Sequence, residues 1–189
     1  MANFTAVYDA CVLYPAPLRD LLLQLALTGL FRARWSDEIH EEWIRNLLEN
    51  RSDLSREQLE HTKSLMNTAV PDCLVTGYQS MINGLYLPDP NDRHVLAVAI
   101  RARAEVIVTY NQKDFPKDIL KEYDIFTEHP DDFISNLIDL NQNTIITAVK
   151  TVRHRLKNPP LSQQEYLDGL SRQQLTSTVS FLEEVMALI

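Results

Sequence analysis

Glycine and cysteine are both scarce in this 189-residue chain, and their scarcity excludes several kinds of site. Four glycines are too few and too scattered to form a loop that cradles phosphate, or a dinucleotide-binding fingerprint. The two cysteines, Cys11 and Cys73, have no closely spaced Cys or His partner, which argues against a thiolate zinc site and a disulfide framework. We expect both to be small residues of the core.

The chain also lacks long apolar runs and an excess of positive charge. No apolar stretch approaches the roughly 20 residues of a membrane-spanning helix, and the start does not resemble a secretory signal. We therefore expect a cytoplasmic protein with no membrane association. The net charge of −8 argues against broad electrostatic attraction to nucleic acid. A local basic patch or a bound divalent metal can still reverse the field at one site.

The apolar patterning predicts an α/β fold with a mostly parallel central sheet flanked by helices. Residues 5–8 and 104–108 are β-branched or apolar runs typical of buried strands, and helices are predicted between them. From about residue 141 only helical patterns remain. We expect a first domain at residues 1–138 and a C-terminal helical extension at residues 139–189.

The most informative stretch is residues 87–116, where a predicted helix is followed by a buried strand. Asp89 is expected to cap this helix, and Asp92 to lie in its first turn on the same face as the apolar stripe. A carboxylate at the edge of a buried face needs a partner. Three polar residues follow the strand: Thr109, Asn111 and Asp114. Chemistry in open α/β sheets collects at such carboxyl ends of strands.

Acidic residues also follow the first strand and occupy an earlier helix. Asp9 stands where the first strand ends, and taken alone it is as readily a structural residue, a helix cap or turn residue, as a functional acid. The helix predicted at residues 37–50 carries Glu38, Glu41 and Glu42 beside its apolar face. Periodicity does not choose among these three glutamates.

A mostly parallel sheet would bring Asp9, Asp92 and Asp114 to one rim. Like-charged carboxylates repel one another, and a bound cation relieves the repulsion. Oxygen ligands suit hard ions such as Mg²⁺ or Mn²⁺, which keep open positions for water and for substrate phosphate. The chemistry that such a site favours is metal-dependent hydrolysis of a phosphodiester bond.

Four segments together resemble the PIN-domain ribonucleases, and within them the toxin subunits of bacterial toxin–antitoxin pairs. The segments are VYDACVLYP around Asp9, SDEIHEEW around Glu42, DPNDRHVLAVAIRARAEVIVTYN from Asp89 to Asn111, and KDFP at Asp114. Their order and spacing extend the resemblance over residues 2–137. Any one of these acids alone would be a weak signal, whereas the ordered set is specific.

The resemblance implies that Asp9, Glu42 and Asp92 hold the metal, and that the hydroxyl of Thr109 supports the metal or its water. The family usually has a fourth acid two residues after that hydroxyl, where this chain has Asn111. Two arrangements remain open.

In one of these arrangements Asp114 supplies the missing carboxylate. In the other the site has three acids, with Asn111 as a neutral ligand and one firmly bound ion.

The resemblance also implies an RNA substrate, cleavage that leaves a 5′-phosphate and a 3′-hydroxyl, and a cognate antitoxin protein as partner. Homodimers are common in the resembled family. The C-terminal helices are expected to hold the antitoxin, to pack on the nuclease domain, or to guide RNA through the basic segment at residues 150–157.

Two other functions are open to the same residues. One is a catalytically inactive PIN-like binding module, which Asn111 favours. The other is a phosphatase with Asp9 as nucleophile. Haloacid-dehalogenase-like phosphatases have a second Asp two residues after the first, and here that residue is Cys11, which argues against this alternative.

Overall fold

The computed structural model describes residues 4–189, and its centre is a sheet of four parallel strands. The strands are β1 (Thr5–Tyr8), β2 (Arg32–Arg34), β3 (Val106–Val108) and β4 (Phe126–Glu128). Their order is β2-β1-β3-β4, and all three pairings are parallel. The predicted α/β fold is confirmed.

The strand order reverses direction between β1 and β3. Moving outward from β1 leads to β2 on one side, whereas β3 and β4 lie on the other. The ladder continues past both strand ends, because Asp9 donates its N–H to the Val108 carbonyl at 3.2 Å and Thr109 donates to Glu128 at 3.0 Å. The carboxyl ends of strands at such a switch point open a crevice in α/β sheets, so the topology itself marks where a site is expected.

Eleven α-helices are described between residues 4 and 189. They are α1 (Ala10–Leu13), α2 (Ala16–Ala26), α3 (Asp37–Asn50), α4 (Arg56–Ala69), α5 (Gln79–Ile82), α6 (Arg93–Ala102), α7 (Lys117–Lys121), α8 (Pro130–Leu140), α9 (Gln142–Arg155), α10 (Gln163–Ser171) and α11 (Thr176–Glu184). Short 3₁₀ segments lie at Pro90–Asp92, Gln112–Asp114 and Met186–Leu188. Helix α6 packs on β1 and β3, and α3 packs on α6.

Several strands differ from those predicted from the sequence. Strand β2 is not predicted, because only Ala33 of its three residues is buried and the strand exists through its pairing with β1. Strand β3 begins at Val106 and not at residue 104, because Arg103 takes a left-handed conformation and the N–H of Ala104 still bonds back to the preceding helix, at Ala99. The patterning also predicts an edge strand at residues 124–126, and β4 begins two residues later, at Phe126, after Asp124 with its positive φ of 56°.

An aromatic cluster surrounds Tyr8, the last residue of β1. The Tyr8 ring stacks on Trp35 with centroids 6.1 Å apart and meets Phe133 of α8 edge-on at 6.2 Å. Its buried hydroxyl donates a hydrogen bond to the Leu22 carbonyl of α2 at 3.1 Å. Tyr8 therefore ties the sheet to helices from both the beginning and the later part of the chain.

The C-terminal helices pack on the rest of the molecule. Helix α9 packs along α2, and α11 packs on α8 and α10. The buried carboxylate of Asp131, in α8, accepts hydrogen bonds from the N–H groups of Ser177 and Thr178, at 2.8 and 2.9 Å. These N–H groups lie in the first turn of α11, where no intrahelical acceptor exists, so Asp131 caps that helix. We call these three residues the Asp131 clasp.

The predicted boundary between residues 138 and 139 falls in the last turn of α8. Residues 1–3 of the predicted first domain lie outside the described residues. The limits of the two domains therefore stay predictions. Within residues 4–189, no helix has the length and the apolar character needed to cross a membrane.

Candidate active site

An open cleft of about 530 Å³ lies beside the carboxyl end of β3, between α3, the start of α6 and the loop that follows β3. Six carboxylates line this acidic cleft: Glu38, Glu41, Glu42, Asp89, Asp92 and Asp114. The asparagines lining it are Asn46, Asn91 and Asn111. Arg45 and His94 are the basic residues of the lining. The cleft is therefore a concentration of oxygen ligands with little positive charge.

Asp9 lies behind this cleft and is almost completely buried, with 2% of its surface exposed. Its Oδ1 accepts a hydrogen bond from the N–H of Ala10 at 2.7 Å, so it caps α1. Burial raises the pKa of Asp9, and the charge of Glu42 raises it further, while hydrogen bonds from Thr109 and Cys11 oppose the rise. Asp9 is thus both a helix cap and an electrostatic neighbour of the cleft.

A chain of hydrogen bonds joins the ends of β1 and β3. The Thr109 hydroxyl donates to Asp9 Oδ2 at 2.7 Å and accepts from the N–H of Asn111 at 2.9 Å. The Cys11 thiol donates to the same Asp9 oxygen at 3.2 Å and accepts from the N–H of Tyr110 at 3.4 Å. Thr109 and Cys11 therefore fix the orientation of the Asp9 carboxylate.

Asp92 is the carboxylate of the cleft whose surroundings most disfavour its negative charge. It precedes the first residue of α6 and makes no side-chain capping hydrogen bond there. Burial raises its pKa to about 7, with further contributions from the negative charges of Asp9, Asp89, Asp114 and Glu42. A carboxyl group with this pKa lacks a compensating positive charge.

The glutamates of α3 differ in what they contact. Glu42 accepts a hydrogen bond from His94 Nε2 at 3.1 Å. Glu41, one residue earlier, is exposed and forms a bidentate ion pair with Arg56 of α4, at 2.8 and 3.1 Å. Glu38 lies at the edge of the cleft, with its carboxylate 3.8 Å from His94 Nδ1. Glu42 is therefore the α3 glutamate directed to α6 by a hydrogen bond.

Asn111 immediately precedes the 3₁₀ segment Gln112–Asp114, which Asp114 ends, and both residues line the cleft. Asp89 caps the 3₁₀ segment at Pro90–Asp92 by accepting from the N–H of Asn91 at 2.9 Å. The expected cap at Asp89 is therefore present, although it begins a 3₁₀ turn ahead of α6. Of the residues predicted to form the site, Glu42, Asp92, Asn111 and Asp114 line the cleft, and Asp9 and Thr109 lie buried behind it.

The donor set of the cleft fits a hard divalent cation. It consists of carboxylate and amide oxygens, and burial together with the neighbouring negative charges raises the pKa of Asp92, which a bound cation would oppose. With the side chains of residues 4–189 as they stand, no three His, Cys, Asp or Glu residues form a ready metal-binding group. The chemistry of the donors, and not a preformed cage, is what matches Mg²⁺ or Mn²⁺.

His94 and Arg45 are two residues of the cleft that the sequence reasoning does not single out. His94 follows Asp92 by two positions, and Arg45 follows Glu41 and Glu42 by about one helical turn. The i, i+3 and i, i+4 spacing on α3 is a signal for Arg45. His94 has no comparable signal, because its partner Glu42 is 52 residues away in the chain.

Comparison with known proteins agrees with this geometry. Residues 5–113 match the family model of the PIN domain, and residues 130–184 match the model described as the VapC50 C-terminal domain. A protein of Mycobacterium tuberculosis (strain ATCC 25618 / H37Rv) named "Putative ribonuclease VapC50" is 40% identical over 113 residues, which cover 58% of this chain and 67% of that relative. No solved structure matches the chain significantly.

The resemblance carried by the four acidic segments is confirmed by these matches. The PIN-domain model covers more than half of the chain, from β1 to the loop after β3. The second model begins at the first residue of α8 and ends with α11. This chain belongs to the PIN-domain family.

Proposed function

We propose that this chain is an endoribonuclease that uses Mg²⁺ or Mn²⁺ to hydrolyse RNA phosphodiester bonds, as the toxin of a type II toxin–antitoxin pair. The observation that carries the proposal is the accumulation of six carboxylates in one cleft, where burial and repulsion raise the pKa of Asp92 to about 7. Membership of the PIN-domain family and the likeness to a protein named as a ribonuclease support it.

Asp9, Glu42 and Asp92 are the residues that we propose hold the cation, with Asp114 or Asn111 completing its surroundings. When bound, the cation supplies the charge that acidifies a water molecule and stabilises the leaving oxygen. Thr109 and Cys11 orient the Asp9 carboxylate through their hydrogen bonds. Negative charge at the cleft repels RNA phosphate, so substrate binding depends on neutralisation of these carboxylates.

Arg45 is the cleft residue best suited to contact an RNA phosphate. Its guanidinium lines the cleft, and it takes part in no ion pair among residues 4–189. In contrast, none of the residues lining the cleft belongs to the basic segment at 150–157. Arg153 of that segment instead donates hydrogen bonds to the carbonyls of Leu161 and Ile189, at 3.0 and 3.2 Å.

The experiment that tests the proposal is cleavage of a mixed pool of structured cellular RNAs by the purified protein with Mn²⁺ or Mg²⁺. We expect discrete cuts that disappear with EDTA and in the Asp9→Asn variant. Asp139→Asn is a matched control, because Asp139 is an exposed residue of α8 outside the cleft, and it should cleave normally. Cutting that persists with EDTA would contradict metal dependence.

A catalytically inactive binding module is the second candidate, and Asn111 in place of the usual fourth acid is the observation that favours it. The absence of cutting, together with the absence of an Mn²⁺-induced thermal shift that depends on Asp9 or Asp92, would support this module. A thermal shift lost in Asp92→Asn would argue for the metal site.

The partners that we propose are a cognate antitoxin and a second copy of the chain. The match to the VapC50 C-terminal domain supports an assignment to this class of toxin, in which an antitoxin holds the nuclease inactive. The homodimer and the cytoplasmic location stay predictions.

A further inference from the structure

His94 connects two carboxylate-bearing helices at the acidic cleft. It is the second residue of α6, and only 13% of its side chain is exposed. Its Nε2 lies 3.1 Å from Glu42 Oε2 of α3, within hydrogen-bond distance. Its Nδ1 is buried and makes no hydrogen bond to any residue of the described chain. Because a carboxylate accepts hydrogen bonds, Nε2 carries the proton and donates it to Glu42.

Glu42 depends on this contact for its position. The hydrogen bond from His94 is the one hydrogen bond of the Glu42 side chain within residues 4–189. A glutamate side chain with three free torsions loses considerable entropy when it is held in one orientation. Glu41, which also lines the cleft, is held instead by an ion pair with Arg56 of α4. The partner of each glutamate thus decides where its carboxylate lies.

Building on the proposed function, we propose that His94 is a positioning residue that holds Glu42 for the divalent cation. The hydrogen bond engages Oε2, and no residue from 4 to 189 donates a hydrogen bond to Oε1. Because His94 follows Asp92 by two positions, it also fixes Glu42 relative to that carboxylate. Residues that orient metal-binding side chains in this way commonly change metal affinity about 10- to 100-fold when they are removed.

The test measures Mn²⁺ affinity of the full chain by isothermal titration calorimetry in three His94 variants. His94→Phe keeps a flat ring but removes the donor, and we expect its dissociation constant for Mn²⁺ to rise about tenfold. His94→Gln keeps an N–H donor and should stay within about threefold of the original chain. His94→Ala gives a second test of donor loss if the Phe variant does not fold, as judged by circular dichroism. His61→Gln, at an exposed position of α4, is the matched control and should bind Mn²⁺ normally.

Two outcomes would overturn the proposal. An unchanged dissociation constant in both His94→Phe and His94→Ala would show that Glu42 needs no support. An equal loss in His94→Gln and His94→Phe would show that the imidazole itself, and not a hydrogen bond, is required.

Glu42→Gln separates this inference from the proposed function. If Glu42→Gln binds Mn²⁺ as well as the original chain, Glu42 is not a metal ligand, and both the metal assignment and the role of His94 fail. If Glu42→Gln loses affinity while His94→Phe does not, only the inference about His94 fails. If His94 acts through Glu42, then adding His94→Phe to Glu42→Gln should cause little further loss.

Discussion

Two aspartates in different parts of the molecule have opposite electrostatic surroundings. Asp131 is buried in the clasp, where burial would raise its pKa, yet hydrogen bonds from Thr178 and Ser177 outweigh burial and lower it. Asp92 lies in the acidic cleft without a side-chain capping hydrogen bond, and burial with four neighbouring carboxylates raises its pKa to about 7. Hydrogen-bond donors, and not the degree of burial, therefore decide whether the pKa of each aspartate is lowered or raised.

This difference separates a carboxylate that stabilises the fold from one that is available for chemistry. In the clasp, backbone N–H groups of Ser177 and Thr178 donate hydrogen bonds to the negatively charged Asp131 carboxylate. Among the described residues no such donor contacts the Asp92 carboxylate, so the folded chain stores repulsion there that a cation can relieve.

Replacing the charge in the cleft should separate activity from stability. We expect Asp92→Asn to reduce RNA cleavage at least about 100-fold, because it removes a proposed metal ligand. The same variant should raise the free energy of unfolding of the metal-free protein by about 1 to 2 kcal/mol, because repulsion is relieved and surface screening limits the gain. Cleavage assays and urea unfolding with EDTA measure the two effects. A loss of stability would instead identify Asp92 as a structural hydrogen-bond partner.

Removing the clasp should have the opposite effect on stability. Asp131→Ala leaves the first N–H groups of α11 without their charged acceptor, and we expect a loss of about 2 to 3 kcal/mol in the free energy of unfolding. Urea unfolding of the full chain measures it. Asp132→Ala is the control, since Asp132 is the exposed next residue, and it should change stability by less than about 0.5 kcal/mol. Equal losses in the two variants would show that the clasp contributes nothing specific.

The two aspartates should also give opposite pH dependences. Folded Asp92 keeps its proton up to about pH 7, whereas an unfolded Asp releases it near pH 4. The folded state therefore binds more protons in this interval, and its stability falls as pH rises from about 4 to 7.

Asp131 has a lowered pKa in the folded state, so its contribution is present above about pH 4 and is lost on acidification. The measurement is urea unfolding across pH 3 to 8 with EDTA, in the original chain and in Asp92→Asn and Asp131→Asn. Asp92→Asn should lose the fall in stability between about pH 4 and 7, and Asp131→Asn should lose the part of the stability that disappears on acidification. If the stability difference between the original chain and Asp92→Asn is independent of pH, the repulsion in the cleft is not real.

A hydrogen bond joins the loop after β3 to the C-terminal helices. The Tyr110 hydroxyl, between Thr109 and Asn111 in sequence, donates to the Gln173 carbonyl at 2.8 Å, just after α10. Tyr110→Phe removes only this bond, and we expect a loss of about 1 kcal/mol in the free energy of unfolding. Tyr123→Phe is the control, because Tyr123 makes no side-chain hydrogen bond within residues 4–189. Identical unfolding curves for the two variants would show that this hydrogen bond contributes nothing to the free energy of unfolding.

Local patterns were sufficient to predict much of the fold and several features of the site. Strand β1 and helix α3 have the predicted limits, because one is a short buried apolar run and the other has a serine cap and acids in its first turn. The ordered acidic segments led to the PIN-domain family, which the family match confirms. The metal-binding roles of the individual residues stay predictions.

Long-range contacts account for what the patterns missed. Strand β2 has only one buried residue of its own and is a strand because it pairs with β1. The three glutamates of α3 have the same local environment in the sequence, and they are distinguished by Arg56 from α4 and His94 from α6. Asp92 and Asp131 are the same residue type, each at the start of a helix. Their pKa values diverge because packing brings N–H donors to Asp131 and carboxylates to Asp92, and that difference depends on residues far away in the chain.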